Sequence, residues 1–223
     1  MYCKVKIISY SQAPTCDKSA IDLVAYCARV SNPSNQSNTK TSEKLIRYLI
    51  KHKHWSPLEM VSACLEIETT RDIAKQVLRH RSFSFQEFSQ RYADPTKDLD
   101  FALREARLQD KKNRQNSIDI DPTSIDQVKM NYDWQMKQQK IIDIAKETYE
   151  WALSSNIAKE QARAILPEGL TKTRLLMNGT LRSWIHYMEL RKANGTQKEH
   201  MEIAYAVAEV ISKIFPYDRL TNR

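Results

Sequence analysis

Hydrophobic periodicity divides the chain into strands and helices almost from its first residues. In KVKIISY, Lys4–Tyr10, Val5 and Ile7 alternate with Lys4 and Lys6, the period of two that a half-buried strand imposes. Ile21, Val24, Ala25 and Ala28 recur at helical spacing, with Asp17 placed to cap their helix, which ends before the polar run SNPSNQSNTKTS, a surface loop. Leu45, Ile46, Leu49 and Ile50 form a second helical stripe. In HWSPLEM, Ser56, Pro57 and Glu59 are spaced as a capping box that opens a short turn, and Val61, Ala63, Leu65 and Ile67 then alternate as a second strand.

From Thr69 or Thr70, with Asp72 in its first turn, a helix turns Ile73, Ala74, Val77 and Leu78 inward and leaves Gln76, Arg79 and His80 together on its other face. Residues 82 to 92 alternate Ser82, Ser84 and Gln86 with Phe83 and Phe85, as an extended segment does. The stretch from about 94 to 133 is polar and densely charged (KDLD, REAR, DKKNR, DID) and reads as a long excursion rather than core, of the kind that serves as a lid, a binding loop or an interface segment. Beyond it, Ile141, Ile142, Ala145, Tyr149 and Ala152 define a helix, and Ala162, Ile165 and Leu166 a shorter one stopped by Pro167. Thr180 caps LRSWIHYMELR, with Leu181, Trp184, Ile185 and Met188 facing the core and Arg182, His186 and Glu189 on the opposite face. A last helix runs from about Lys198 to Ile214 and ends at Pro216. The order strand, helices, strand, then mostly helices predicts an α+β fold, with a small mostly antiparallel sheet, packed helices and a helix-rich second half, in a single domain over residues 1–223.

Composition changes this picture in two ways. Glycine occurs only at 169, 179 and 195, spacings that exclude both G-x-G-x-x-G and G-x-x-x-x-G-K-[ST], so any bound phosphate must be held by arginine, lysine and histidine side chains. The formal charge of +8 supplies such cations. Cys3, Cys16, Cys27 and Cys64 never fall at C-x-x-C spacing, and Cys64 reads as a core strand residue; with no apolar leader or 18-residue apolar run, the expectation is a soluble cytoplasmic protein with ordinary thiols and no membrane contact. His52 and His54 form an H-x-H with no third ligand nearby, so no metal site is expected; His200 reads as a solvated helix residue, and Trp184, Tyr187 and Met188 as core and interface.

The chemistry concentrates in RHRSFSFQEFSQRY, Arg79 to Tyr92. Three cations at a helix C-terminus are partly explained by the helix dipole, but hydroxyls and a carboxylate follow where a simple helix exit would carry turn residues. Such a mixture suits an anionic ligand that also has planar donors and acceptors, meaning a nucleotide. A basic nucleic-acid-binding protein, laying Arg79 to Arg91 on a phosphate backbone, is the alternative reading. Cations spread along the chain and the lack of RNP, helix-turn-helix or zinc-finger patterns favour small anionic ligands and no nucleic acid.

Arg79, His80, Arg81, Ser84, Glu87, Ser89 and Arg91 match R-H-R-x-x-S-x-x-E-x-S-x-R, the signature of the flavin-dependent thymidylate synthases, which this chain resembles. His54-x-Ser56-Pro57-x-Glu59, LREARLQDKKNRQNS (Leu103 to Ser117), QARAILP (Gln161 to Pro167) and GTLRSWIHYMELR (Gly179 to Arg191) resemble further blocks of that family. Met60 stands at the family's closing histidine and Gln86 at its usual asparagine, while Thr180 and His186 stand where some members have asparagines. The resemblance implies methylation of deoxyuridine monophosphate (dUMP) at C5, with carbon from methylenetetrahydrofolate, electrons from FAD reduced by NADPH, no cysteine nucleophile, and a homotetramer whose sites draw on several chains. It also implies FAD contacts from Ser56, Arg79, His80, Arg81, Glu87, Thr180, Leu181, Arg182 and His186. For the nucleotide it implies Gln76, Val77, Leu78, Arg79, Glu87, Phe88, Ser89, Gln90, Arg91, Arg163 and Arg191, with Arg191 against the uracil as the catalytic residue.

Overall fold

The computed structural model describes residues 3–14 and 18–216. In chain order its elements are β1 (Lys4–Tyr10), α1 (Ala20–Ala28), α2 (Ser42–Lys51), β2 (Ser62–Thr70), α3 (Arg71–Val77), β3 (Ser84–Glu87), α4 (Pro95–Asp98), β4 (Arg107–Gln109), β5 (Ser117–Asp119), α5 (Ile125–Ser154), α6 (Lys159–Ala162), β6 (Lys172–Thr180), α7 (Leu181–Arg191) and α8 (Lys198–Ser212). Four strands pair in the order β1-β2-β6-β3, every neighbour antiparallel, so the α+β class with a small antiparallel sheet is as expected.

The central strand β6 is the main departure from the periodicity reading, which left that segment outside the sheet. Thr173, Leu175, Met177 and Gly179 do alternate inward, but Leu176 and Leu175 stand together and Leu and Met are strong helix formers, so the period-two signal is blurred. Tertiary pairing decides: nine consecutive residues of β6 sit opposite β2, from Lys172 against Thr70 to Thr180 against Ser62. Each strand then runs straight into a helix. The first amide of α3, at Arg71, donates to Thr171 O at 3.0 Å, and that of α7, at Leu181, donates to Val61 O at 2.8 Å.

One sheet face and five helices make the core, α1 and α2 adding Ala20, Ile21, Val24, Ile46 and Leu49. Ala63, Leu65, Ile67, Leu175 and Met177 pack with Ile73, Ala74 and Val77 of α3, Trp184, Ile185 and Met188 of α7, and Ile203, Ala204, Val207 and Ile211 of α8, all buried. The Trp184 indole satisfies its only donor on Ala63 O at 3.0 Å. Burial at about 25 cal/mol per Å² of apolar surface is what holds these layers together. On the other sheet face Lys6 pairs with Glu66 at 2.8 Å, and Cys64 belongs there, half-buried, rather than in the core as its strand position suggested. Odd and even residues of β2 point to opposite faces, and Cys64 falls out of phase with Ala63 and Leu65.

Several local expectations need correction. Asp17 and Cys16 lie outside the described residues; the α1 cap is Ser19, whose Oγ accepts from Asp22 N at 3.2 Å. The capping box at Ser56 does not form, because Glu59 turns away to bond Arg182. Ile141 is 51% exposed, while Ile142, Ala145, Tyr149 and Ala152 of the same helix are buried. The polar excursion is not one loop: it holds α4, the β4–β5 hairpin and the start of the 30-residue α5.

Gly179 shows how tightly this layer is built. A Cβ there would stand 2.4 Å from Cδ1 of Phe83, whose ring lies edge-on to Trp184 with centroids 4.7 Å apart. Gly179→Ala should therefore destabilise the fold by about 1–3 kcal/mol through overpacking. Gly169, where a Cβ would meet only Asp72 Oδ2 at 3.9 Å, should tolerate alanine within about 0.5 kcal/mol. Denaturant midpoints of the two variants measure the difference.

Candidate functional site

The C-terminal end of α7 and the residues that follow α3 meet above the core. Arg191 donates its Nε–H to Nε2 of His80 at 2.9 Å. An arginine can only donate, so His80 accepts and carries its own proton on Nδ1. Burial, and then the Arg191 charge, lower the His80 pKa to about 4, so this imidazole is neutral at physiological pH. It lies edge-on to Tyr187, with centroids 4.9 Å apart, and 6.1 Å from the ring of His200. The bond orients the Arg191 guanidinium while leaving both terminal nitrogens for other partners.

Gln76, from the same face of α3, joins this cluster. Its Nε2 donates to Gln197 Oε1 at 2.7 Å and its Oε1 lies 3.3 Å from Nδ1 of His200. His200, expected in solvent, is fully buried; burial, followed by the charges of Arg191 and His80, lowers its pKa to about 3. Its burial was legible after all, because His200 is in helical phase with the buried Ile203, Ala204, Val207 and Ile211.

A second group gathers at the N-terminal end of α7. Thr180 caps the helix as expected, its Oγ1 accepting from Ser183 N at 3.3 Å. Arg182 is bonded to Glu59, and the exposed His186 lies edge-on to Trp55 at 4.7 Å beside the exposed Ser56. Nine residues of helix, about 13 Å, separate Arg182 from Arg191. A third group follows β3: Glu87 accepts from Thr173 Oγ1 at 2.9 Å and pairs with Arg71 at 3.4 Å, Gln90 is buried, and Phe88 and Ser89 are half-buried. Arg91 is exposed and pairs with Glu160 on α6, at whose end Arg163 stands half-buried. Arg79 and Arg81 project into solvent. Leu78 is half-buried, whereas Val77 and Leu181 belong to the core and can meet a ligand only through their backbone.

One chain thus unites Gln76, His80 and Arg191 but keeps the other groups apart. Glu87 is opposite Leu175 in the sheet, five residues along β6 from Thr180, or about 17 Å. A cavity of about 530 Å³ does exist, but its walls include Thr70, Phe101, Arg104, Arg107 and Glu199, all outside the predicted set. Residues that sequence reasoning missed are His200, Gln197 and Glu199, since a hydrogen-bonded chain between two elements leaves no periodic trace.

The family of Thymidylate synthase complementing protein matches residues 10–217. The chain belongs to the flavin-dependent thymidylate synthase family. It is 52% identical over 198 residues to a probable flavin-dependent thymidylate synthase of Paramecium bursaria Chlorella virus 1, covering 89% of this chain and 88% of the relative. A flavin-dependent thymidylate synthase of Synechocystis sp. is 49% identical over 194 residues, 87% and 85% of the two chains. Among solved structures, the fold resembles that of the UMP/dUMP methylase PolB from Streptomyces cacaoi, with a TM-score of 0.75, 24% identity and coverage of 96% and 91%.

The two lowered imidazoles make acid stability the check on this cluster. Unfolded, both histidines titrate near 6.5; folded, His80 holds out to about 4 and His200 to about 3. Between those values the unfolded chain binds protons that the folded one refuses, so stability is intact above pH 6.5 and falls as the pH drops below it. Denaturant midpoints should decline from pH 6.5 towards 4, and His200→Leu should flatten the decline. An unchanged slope in that variant would show that His200 is not held neutral.

Proposed function

We propose that this protein methylates C5 of dUMP to give dTMP, with FAD as resident cofactor and methylenetetrahydrofolate and NADPH as co-substrates. Family membership and the 52% identity to a flavin-dependent thymidylate synthase support the reaction class. The observation that carries the residue assignment is the Arg191–His80 bond, which aims an arginine without using its terminal donors. PolB, whose fold this chain shares, was solved with 5-Br dUMP.

Uracil C5 is a weak nucleophile, and activating it through N3 and the flanking carbonyls needs a fixed cation with two parallel donors. Arg191 fills that role, held by a neutral His80 that neither competes for the substrate nor titrates at working pH. Cysteine addition is disfavoured by the thiols themselves. Burial and Glu202 push Cys3 up to about 12, burial raises Cys64, and Cys3, Cys27 and Cys64 are free. Cys3 and Cys64, whose thiolates burial disfavours, stay protonated at neutral pH in the reducing cytoplasm where we place the protein.

The donor set fits a flavin dinucleotide. Arg79 and Arg81 are exposed, and among the described residues neither is engaged by a carboxylate, so both guanidiniums are available to a diphosphate. Ser56, Thr180, Arg182 and His186 add hydroxyl, guanidinium and imidazole groups at the start of α7, with Glu87 and the backbone of Leu181 completing the set. Bound FAD supplies the electrons of the methyl transfer. The nucleotide would meet Gln76, Arg79, Glu87, Ser89, Gln90, Arg91, Arg163 and Arg191, and the backbone at Val77, Leu78 and Phe88. The 17 Å between Glu87 and Thr180 supports sites shared between chains of a homotetramer, each subunit one domain over residues 1–223, with the 94–133 excursion contributing at the subunit junctions.

Purified protein should be yellow and release FAD on denaturation; a colourless protein whose affinity for DNA or RNA falls steeply with salt would overturn the proposal. Arg191→Ala should keep its FAD and its NADPH oxidation yet lose dTMP formation about 10²- to 10³-fold, the usual cost of one preorganised donor, and Arg191→Lys should rescue poorly. Replacing Cys3, Cys16, Cys27 and Cys64 together should leave dTMP formation within about tenfold of wild type, allowing for packing losses of about 1–2 kcal/mol. Abolished turnover in a folded, flavin-loaded quadruple variant would restore a cysteine nucleophile.

A further inference from the structure

Between the polar excursion and the Arg191 cluster runs an unbroken chain of hydrogen bonds whose direction is set at one end. Arg107 Nη2 donates to Glu199 Oε1 at 2.6 Å, and Arg104, 3.8 Å away, adds a second cation. Arg104 is itself fixed by Asp72 Oδ1 at 2.7 Å, Thr70 Oγ1 at 2.6 Å and Gly169 O at 3.1 Å. Between two arginines Glu199 is a carboxylate, and a carboxylate only accepts. Gln197 must therefore turn its Nε2 towards Glu199 Oε2, at 2.9 Å, which leaves its Oε1 facing Gln76. Gln76 must answer with Nε2, at 2.7 Å, which leaves its own Oε1 facing Nδ1 of His200, at 3.3 Å. An oxygen there requires the proton of His200 on Nδ1. Its Nε2 is then a bare acceptor, fully buried and without a hydrogen-bond partner among the described residues.

We propose that Glu199 sets the polarity of this relay, so that Gln76, with one N–H spent on Gln197 and its oxygen turned to His200, keeps its second N–H for the bound ligand, and His200 is locked as the Nδ1–H tautomer. Glu199 and His200 are then positioning residues for Gln76, and the group that Gln76 recognises is an acceptor oxygen, phosphate or carbonyl, of the nucleotide. The ligand role of Gln76 rests on the function proposed above; the tautomer of His200 does not. Each link is forced by chemistry rather than by packing. Two amides and an imidazole can each point either way, and only the acceptor-only end breaks the tie. The relay also gives the excursion a task, since Arg104 and Arg107 belong to it.

The test uses the flavin-loaded enzyme labelled with ¹⁵N-histidine. Nitrogen spectra at neutral pH should show His200, assigned by its loss in His200→Asn, protonated at Nδ1. In Glu199→Gln the relay end gains an N–H, Gln197 and Gln76 turn over, and the proton of His200 should move to Nε2. In kinetics, Glu199→Gln and His200→Leu should raise KM for dUMP about tenfold, the effect of one lost or reversed hydrogen bond, with kcat changed less and FAD content unchanged. His200→Asn, whose amide N–H replaces that of Nδ1, should stay within about threefold of wild type. An Nε2–H tautomer in the wild type overturns the proposal, as does His200→Leu with unaltered KM. Should Glu199→Gln fail to fold, the wild-type tautomer and the two His200 variants decide alone. A wild-type protein that shows the expected tautomer but neither binds nor methylates dUMP would sink the proposed function and leave the relay standing.

Discussion

Everything in this molecule is hung on the nine-residue ladder between β2 and β6. It is antiparallel and launches a helix from each end, α3 from the Thr70 end and α7 from the Thr180 end. The two crossed bonds, Arg71 N to Thr171 O and Leu181 N to Val61 O, fasten each helix start to the opposite strand. With both starts fixed and both helices laid back over the same sheet face, their far ends are brought towards one another. The Arg191–His80 bond is where they meet. A slip of the ladder by one residue would turn Leu65, Ile67, Leu175 and Met177 out of the core, so the register of the site is protected by the burial of the sheet.

Two helix C-termini converging on one spot carry partial negative charge from their unpaired carbonyls, about half a charge for a long helix and less for a short one such as α3. Cations are stabilised there, which accounts for part of the density of Arg79, His80, Arg81 and Arg191. The dipole does not explain their different environments. Arg79 and Arg81 stand in solvent, while Arg191 is half-buried against an imidazole.

Much of this was readable from sequence where a single period governed burial. β1, β2, α7 and the inward face of α3 follow directly from alternation or from helical stripes, and Thr180 caps α7 because a threonine stands just ahead of the helical stripe, where its hydroxyl reaches the third amide. The Arg79–Arg91 string and Arg191 were visible as residue types. β6 was obscured because its leucines and methionine suit a helix as well as a strand, and only its pairing with β2 settles the choice. Residue type puts His200 in solvent, whereas its phase within α8, shared with Ile203, Ala204, Val207 and Ile211, puts it inside. The Glu199–Gln197–Gln76 chain was beyond reach, since it joins residues more than a hundred positions apart through side-chain geometry alone.

The choice of a neutral partner for Arg191 has an electrostatic consequence. Four other half-buried arginines are tied down by carboxylates: Arg71 with Glu87, Arg182 with Glu59, Arg104 with Asp72, Arg107 with Glu199. Each of those pairs is close to a dipole, whose field dies away within a few ångströms. Arg191 is anchored without being cancelled. Its full positive charge, flanked by two imidazoles that stay uncharged, projects a monopole field from a poorly solvated site, where the attraction for an anion is several times what it would be in bulk water.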